Sequence, residues 1–206
     1  VTCKDYHFLV NTLITSMPIK YTLRIALFTA LILLVPLTAM QFTDEVDWSL
    51  SDFVIAGVLL FGAGLVYKVV TNRGGTTAYR VAAGVAIFAA LMLFWVNGAV
   101  GLIGSENNPA NLMYLGVIGI GIIGGGIVRF KPGGMARVMF AVALAQALIP
   151  LFALIIWKYQ AIPERLFWGA LGGTGVFTFN SIFVMLFAVS AFLFRHAGSL
   201  KKLSSS

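Results

Sequence analysis

The chain has 206 residues, of which 60% are hydrophobic and 10% charged, with a formal net charge of +7. A soluble domain carries about 25% charged residues, so this charge is too sparse to cover a water-facing surface. The basic residues flank apolar runs, which explains the charge through membrane orientation and excludes a nucleic-acid reading.

In chain order, residues 1–22 form a mixed lead-in on the cytoplasmic side, with Lys4, Asp5, His7 and Lys20. Val1, Met17 and Met40 are alternative starting points. The first apolar run covers residues 23–40, with Pro36 near its end, and is followed by the acidic stretch Thr43–Trp48. Lys20 and Arg24 give it the positive front of a signal peptide, but Leu37 stands where a small residue is preferred before cleavage after Ala39, so the run reads as an uncleaved helix. Further spans are expected at 53–70, 79–104, 112–130, 135–157 and 166–195. Asn108-Pro109 breaks the third gap, and Pro150 lies inside the fifth span. Residues 196–206 form a basic cytoplasmic tail.

The resulting expectation is an all-α integral membrane bundle of six transmembrane helices with both termini cytoplasmic. Lys4, Lys20, Arg24, Lys68, Arg73, Arg80, Arg129, Lys131, Arg137, Arg195, Lys201 and Lys202 then share one face, as the positive-inside bias requires. Asp44, Glu45, Asp47, Asp52, Glu106 and Glu164 fall in the outward gaps, with Lys158 and Arg165 as the basic exceptions. Trp48, Trp95, Trp157, Trp168, Tyr114 and Tyr159 lie near the outward ends and read as an aromatic belt rather than a binding cage.

Span four contains Gly119-Ile-Gly121-Ile-Ile-Gly124, which matches a dinucleotide-binding glycine pattern letter for letter. That pattern requires a preceding strand and a later acid, and neither accompanies a membrane span here. Gly121 and Gly125, and likewise Gly169 and Gly173 in span six, read as close helix-packing positions, because small residues let backbones approach. A glycine-lined path or hinge is the sharper alternative.

No Asp, Glu, His, Lys or Arg lies in the middle of a span, where proton relays and ion-coupled pumps place such groups. With a single cysteine, Cys3, and histidines only at His7 and His196, nothing in the sequence calls for a cofactor. Asn97, Gln146, Thr178 and Asn180 are polar groups that lipid leaves unsatisfied, so each is expected to face another helix or a polar pocket. On the outward side, Glu45, Asp47, Asp52 and Glu106 offer oxygen ligands for a hard divalent cation. Their simpler role is a solvated rim that caps helices, with Asp52 capping span two and Asn111 capping span four.

The stretch Ala39-Met40-Gln41-Phe42-Thr43-Asp44-Glu45-Val46-Asp47-Trp48-Ser49-Leu50-Ser51-Asp52-Phe53, with the third gap Gly104–Asn111, resembles a family of small, uncharacterised bacterial multipass inner-membrane proteins. The resemblance implies a bacterial inner-membrane location and carries no functional residue. Three functional classes follow. The first is a non-enzymatic helix-packing component or accessory subunit. The second is a small oligomeric transporter or channel for a neutral or apolar solute. The third is a metal-assisted enzyme using the acidic rim. Expected partners are the bilayer, anionic lipids at the basic face, and a second copy or another membrane protein.

Overall fold

The structure, a computed structural model, describes residues 19–43, 45–72, 75–103, 109–156 and 174–203. Those residues are all-α, with six helices: α1 (Ile19–Ala39), α2 (Leu50–Thr71), α3 (Thr77–Val100), α4 (Leu112–Ile127, preceded by the 3-10 turn Pro109–Asn111), α5 (Pro132–Ile156) and α6 (Thr174–Leu203). Each is long and apolar enough to cross a membrane, α4 together with its 3-10 turn. Helix is the form a chain takes in hydrocarbon when every backbone N–H and C=O must find a partner within its own segment. The chain divides into two compact units, Val1–Val69 and Val70–Ser206.

In the first unit α1 and α2 form an antiparallel hairpin. A Cβ added at Gly64 would lie 2.6 Å from Ile25 Cγ2, and one added at Gly57 would lie 3.5 Å from Leu33 Cδ1. The absence of a side chain at Gly64 therefore sets the distance between the two helices. At the same end Lys68 Nζ stands 3.8 Å from the centre of the Tyr21 ring, which places Lys20, Arg24 and Lys68 together at one end of the hairpin.

The connection at the other end is organised by the entry to α2. Ser49 precedes the helix, and its backbone N–H donates to Asp52 Oδ2 at 2.8 Å while Asp52 N–H reaches back to Ser49 Oγ at 3.4 Å. This reciprocal pair is a capping box, and it satisfies donors that the first helical turn cannot. Trp48 packs edge-on against Phe53, with ring centroids 5.2 Å apart. Those are the two positions of a hydrophobic staple, which fixes the angle at which the chain enters the helix.

The second unit contains α3 to α6, with α6 packed most extensively on α5 and then on α3, and α4 packed on α5. Each of these pairs is antiparallel. Tyr79 stacks edge-on with Phe194 at 5.0 Å while Ser190 Oγ donates to the Ala82 carbonyl at 2.9 Å, tying α3 to α6. Phe140 meets Phe192 at 5.1 Å between α5 and α6. The core is made of small and aromatic residues together, including Ala82, Ala89, Leu93, Val142, Phe187, Ala191 and Phe194. Alanine on α3 lets α6 approach, so dispersion contacts between the helices do the work that the hydrophobic effect cannot do in lipid. The alternation places Arg80, Arg129, Lys131, Arg137 and Arg195 at one end of this unit.

The helix limits refine the expected spans. α3 stops at Val100 rather than 104 because Gly101 adopts φ 66° and returns its N–H to the Asn97 carbonyl. α4 stops at Ile127 rather than 130 in a Schellman motif, with Phe130 N–H donating to the Gly125 carbonyl and Arg129 N–H to that of Gly126, both at 3.0 Å. α6 continues to Leu203, well past the expected 195, because Ala197 is buried and Gly198 packs beside the backbone of Gly133. The start of the sixth predicted span lies outside the described residues.

Candidate functional site

The polar centre of the second unit lies between α5 and α6. Pro150 stands inside α5. Having no N–H, it cannot donate to the carbonyl four residues earlier, which belongs to Gln146. Asn180 on α6 supplies the missing donor: its Nδ2 reaches the Gln146 carbonyl at 3.0 Å. Its Oδ1 accepts from Gln146 Nε2 at 2.9 Å. A carbonyl can only accept, so Nδ2 of Asn180 must face it and Oδ1 must face the Gln146 amide. Gln146 is fully buried and Asn180 is 4% exposed. Among the described residues no donor reaches Gln146 Oε1.

The structure thus brings Gln146 and Asn180 together and places the other polar candidates elsewhere. Thr178, two residues before Asn180 on α6, is exposed. Asn97 lies near the far end of α3, where its Nδ2 donates to the Asn111 carbonyl at 3.2 Å and its buried Oδ1 meets no donor among the described residues. Asn111 itself makes no side-chain cap to α4. Its Oδ1 accepts from Ile103 N–H at 2.9 Å, and its Nδ2 is 3.5 Å from the Ile103 carbonyl. It therefore mimics a backbone partner and ties the exit of α3 to the entry of α4, at a position 4% exposed.

The outward acids behave differently from one another. Asp52 belongs to the capping box of α2, not at the cap position itself but three residues inside it, with Ser49 as the cap. Glu45 and Asp47 are exposed, and Glu106 lies outside the described residues. Among the described residues no three His, Cys, Asp or Glu side chains converge as metal ligands would.

The glycines of α4 divide into two faces. Gly121 faces Val142 and Met139 of α5 at ordinary contact distance, and Gly125 lies against Phe130 and Met135. The tightest approach is at Gly124, where an added Cβ would lie 2.8 Å from Val138 Cγ1. Gly116, Gly119 and Gly126 have open space around them. Gly169 and Gly173 lie outside the described residues.

Two features at the basic end escaped sequence reasoning. Arg129 and Phe130 both have positive φ, 52° and 55°, a conformation that costs roughly 1–2 kcal/mol for a residue bearing a Cβ. Tyr79 Oη donates to the Phe130 carbonyl at 2.6 Å and holds this turn against α3. A Cβ at Gly134 would lie 2.6 Å from Val128 Cβ, so the turn closes on a glycine. The other missed residue is Ser190, an apparently ordinary serine in an apolar run whose bond to Ala82 is set entirely by the packing of α6.

Fold and site together define a multipass α-helical membrane protein whose buried polar groups join helix to helix. No protein-family profile, curated protein or solved structure matches the chain.

Proposed function

We propose that this chain is a non-enzymatic component of a bacterial inner membrane, acting through helix packing with a second copy or another membrane protein. The observation that carries this reading is the Gln146–Asn180 pair. The mid-span amides are bonded to each other and to the carbonyl that Pro150 exposes, which is the work of interhelical fastening. The glycines that meet α5 support it, since they serve close packing and not a lined path.

The basic ends of the two units face the cytoplasm in this reading, following the positive-inside bias. A fluorescent reporter fused after Ser206 then glows, and a phosphatase that is active only outside the cytoplasm works when inserted between Thr43 and Ser49. The opposite pattern reverses the assignment. Native mass spectrometry after gentle extraction from the original membrane tests the component itself. It is expected to retain a second copy or a distinct membrane subunit, and a bare monomer rejects the reading.

One observation favours a second reading, a small transporter for a neutral solute. Gln146 Oε1 is buried and would accept a hydrogen bond from water or from a solute hydroxyl or amide. In that case Gln146→Leu and Asn180→Leu abolish flux while the folded protein is retained; unchanged flux rejects it.

A further inference from the structure

We infer that a cleft at the basic end of the second unit, between the first turn of α5 and the last turns of α6, binds the phosphate of an anionic glycerophospholipid. The inference rests on the membrane reading above, and it holds whether the protein is a packing component or a transporter. The cleft has a volume of about 920 Å³, and Lys131, Arg137 and Arg195 line it. All three side chains are exposed, and among the described residues no acid stands in the lining of the cleft. From residue 53 onward the sequence holds two acids, Glu106 and Glu164, both outside the described residues. Three cations gathered around one cavity from the entry and first turns of α5 and the end of α6, with no acid among the lining residues, make a concentrated positive field.

The chemistry beside the cations suits phosphate in particular. Lys131 and Arg137 flank the start of α5. There the amides of Gly133 and Gly134 precede the first intrahelical bond, which runs from Met135 N–H to the Lys131 carbonyl at 2.8 Å. Such amides, at the positive end of the helix dipole, add to side-chain cations in binding phosphate oxygens. Gly133 has open space where a side chain would stand, so no side chain of its own occupies that part of the cleft.

A lipid is favoured over free phosphate because of what lies below. The lining of the cleft includes Phe140, which meets the exposed Phe192 edge-on. Leu144, one helical turn further along α5, is also exposed. An acyl chain attached to the bound phosphate has this apolar track to follow, as expected of basic pockets between transmembrane helices.

The test uses the full chain in detergent micelles doped with phosphatidylglycerol or phosphatidylcholine, with retained lipid read by native mass spectrometry. Wild type should retain phosphatidylglycerol selectively. The pair Arg137→Gln with Arg195→Gln should weaken retention about fivefold for each cation removed. The pair Arg80→Gln with Arg129→Gln, which removes the same charge outside the cleft, should change it little. Equal losses in both pairs, or retention unaffected in the first, overturn the site. Displacement by millimolar inorganic phosphate with no preference between the two lipids overturns the lipid source and assigns the cleft to free phosphate. Flotation with vesicles of the same two lipids separates the inference from the reading beneath it. A chain that fails to float refutes the membrane reading, whereas one that floats without lipid selectivity refutes the cleft alone.

Discussion

Asn180 Nδ2 lies 3.0 Å from the carbonyl of Gln146, the carbonyl that Pro150 leaves without its helical donor. A proline in a membrane helix is tolerated when a neighbouring helix re-satisfies the freed group. Here α6 does so with one side chain, which also takes the Gln146 amide. The pair explains how α5 carries both a proline and a fully buried glutamine without opening.

That relationship makes the effects of two substitutions interdependent. Asn180→Leu strands the Gln146 carbonyl and amide in an apolar interior and should cost about 1–2 kcal/mol. Pro150→Ala returns an N–H to the helix, so in that background the same change should cost less, with a coupling on the order of 1 kcal/mol. Reversible unfolding of the four proteins in mixed micelles measures the cycle. Additive effects would mean that Asn180 does not replace the proline's missing donor.

Ser190→Ala offers a contrast. The Ala82 carbonyl that Ser190 caps lies in the interior of α3 and has its own helical donor. Loss of the second donor should cost only about 0.6 kcal/mol. A loss as large as that of Asn180→Leu would show that the α3–α6 contact depends on this bond.

Glycine substitutions along α4 should sort by face. Gly124→Ala drives a methyl into Val138, a stiff β-branched neighbour, and should destabilise by about 1–3 kcal/mol. Val138→Ala should relieve most of that loss. Gly116→Ala and Gly119→Ala meet no atom within 4 Å and should be neutral or slightly stabilising, because alanine favours helix. Thermal denaturation of the set reads the pattern, and equal effects at Gly116 and Gly124 would refute the α4–α5 interface.

The turn between α4 and α5 should respond in opposite directions to two changes. Arg129→Gly removes the cost of a left-handed residue and should stabilise by about 1 kcal/mol. Tyr79→Phe removes the donor to the Phe130 carbonyl and should cost about 1 kcal/mol. Amide exchange at Phe130 and Lys131 should slow in the first variant and quicken in the second. The same direction in both would separate the turn from Tyr79.

The start of α2 should loosen when its cap is removed. Ser49→Ala deletes the hydroxyl of the capping box, and Trp48→Ala deletes the staple against Phe53. Hydrogen exchange in the first turn of α2 should accelerate in each and most in the double variant. The end of α2 near Lys68 should not change. Acceleration along the entire helix would mean that these residues hold the hairpin together and do not merely start a helix.

The sequence alone determined the six apolar helices, the absence of charge in their middles, and the gathering of basic groups at one end within each unit. Those properties follow from hydrocarbon thickness and from the cost of an unsatisfied polar group, and both act on a single segment regardless of its neighbours. Tertiary structure decided which helices meet and in what register. The motif spacing drew attention to Gly121 and Gly125, whereas the tightest contact falls at Gly124, because the direction α4 presents to Val138 is set by packing against α5. Asn97, Gln146 and Asn180 were equally polar as letters, yet only Gln146 and Asn180 meet. Asn97 binds the Asn111 carbonyl, at a depth and on a helix pair that no local pattern encodes. Asn111 looked like a helix cap and instead holds Ile103, a partner at the exit of α3 that lies next to the entry of α4 only in the folded chain. The cationic cleft has the same origin: Lys131, Arg137 and Arg195 become one site only when the antiparallel packing of α5 and α6 brings residues distant in sequence to the same end, as the contact between Gly133 and Gly198 shows.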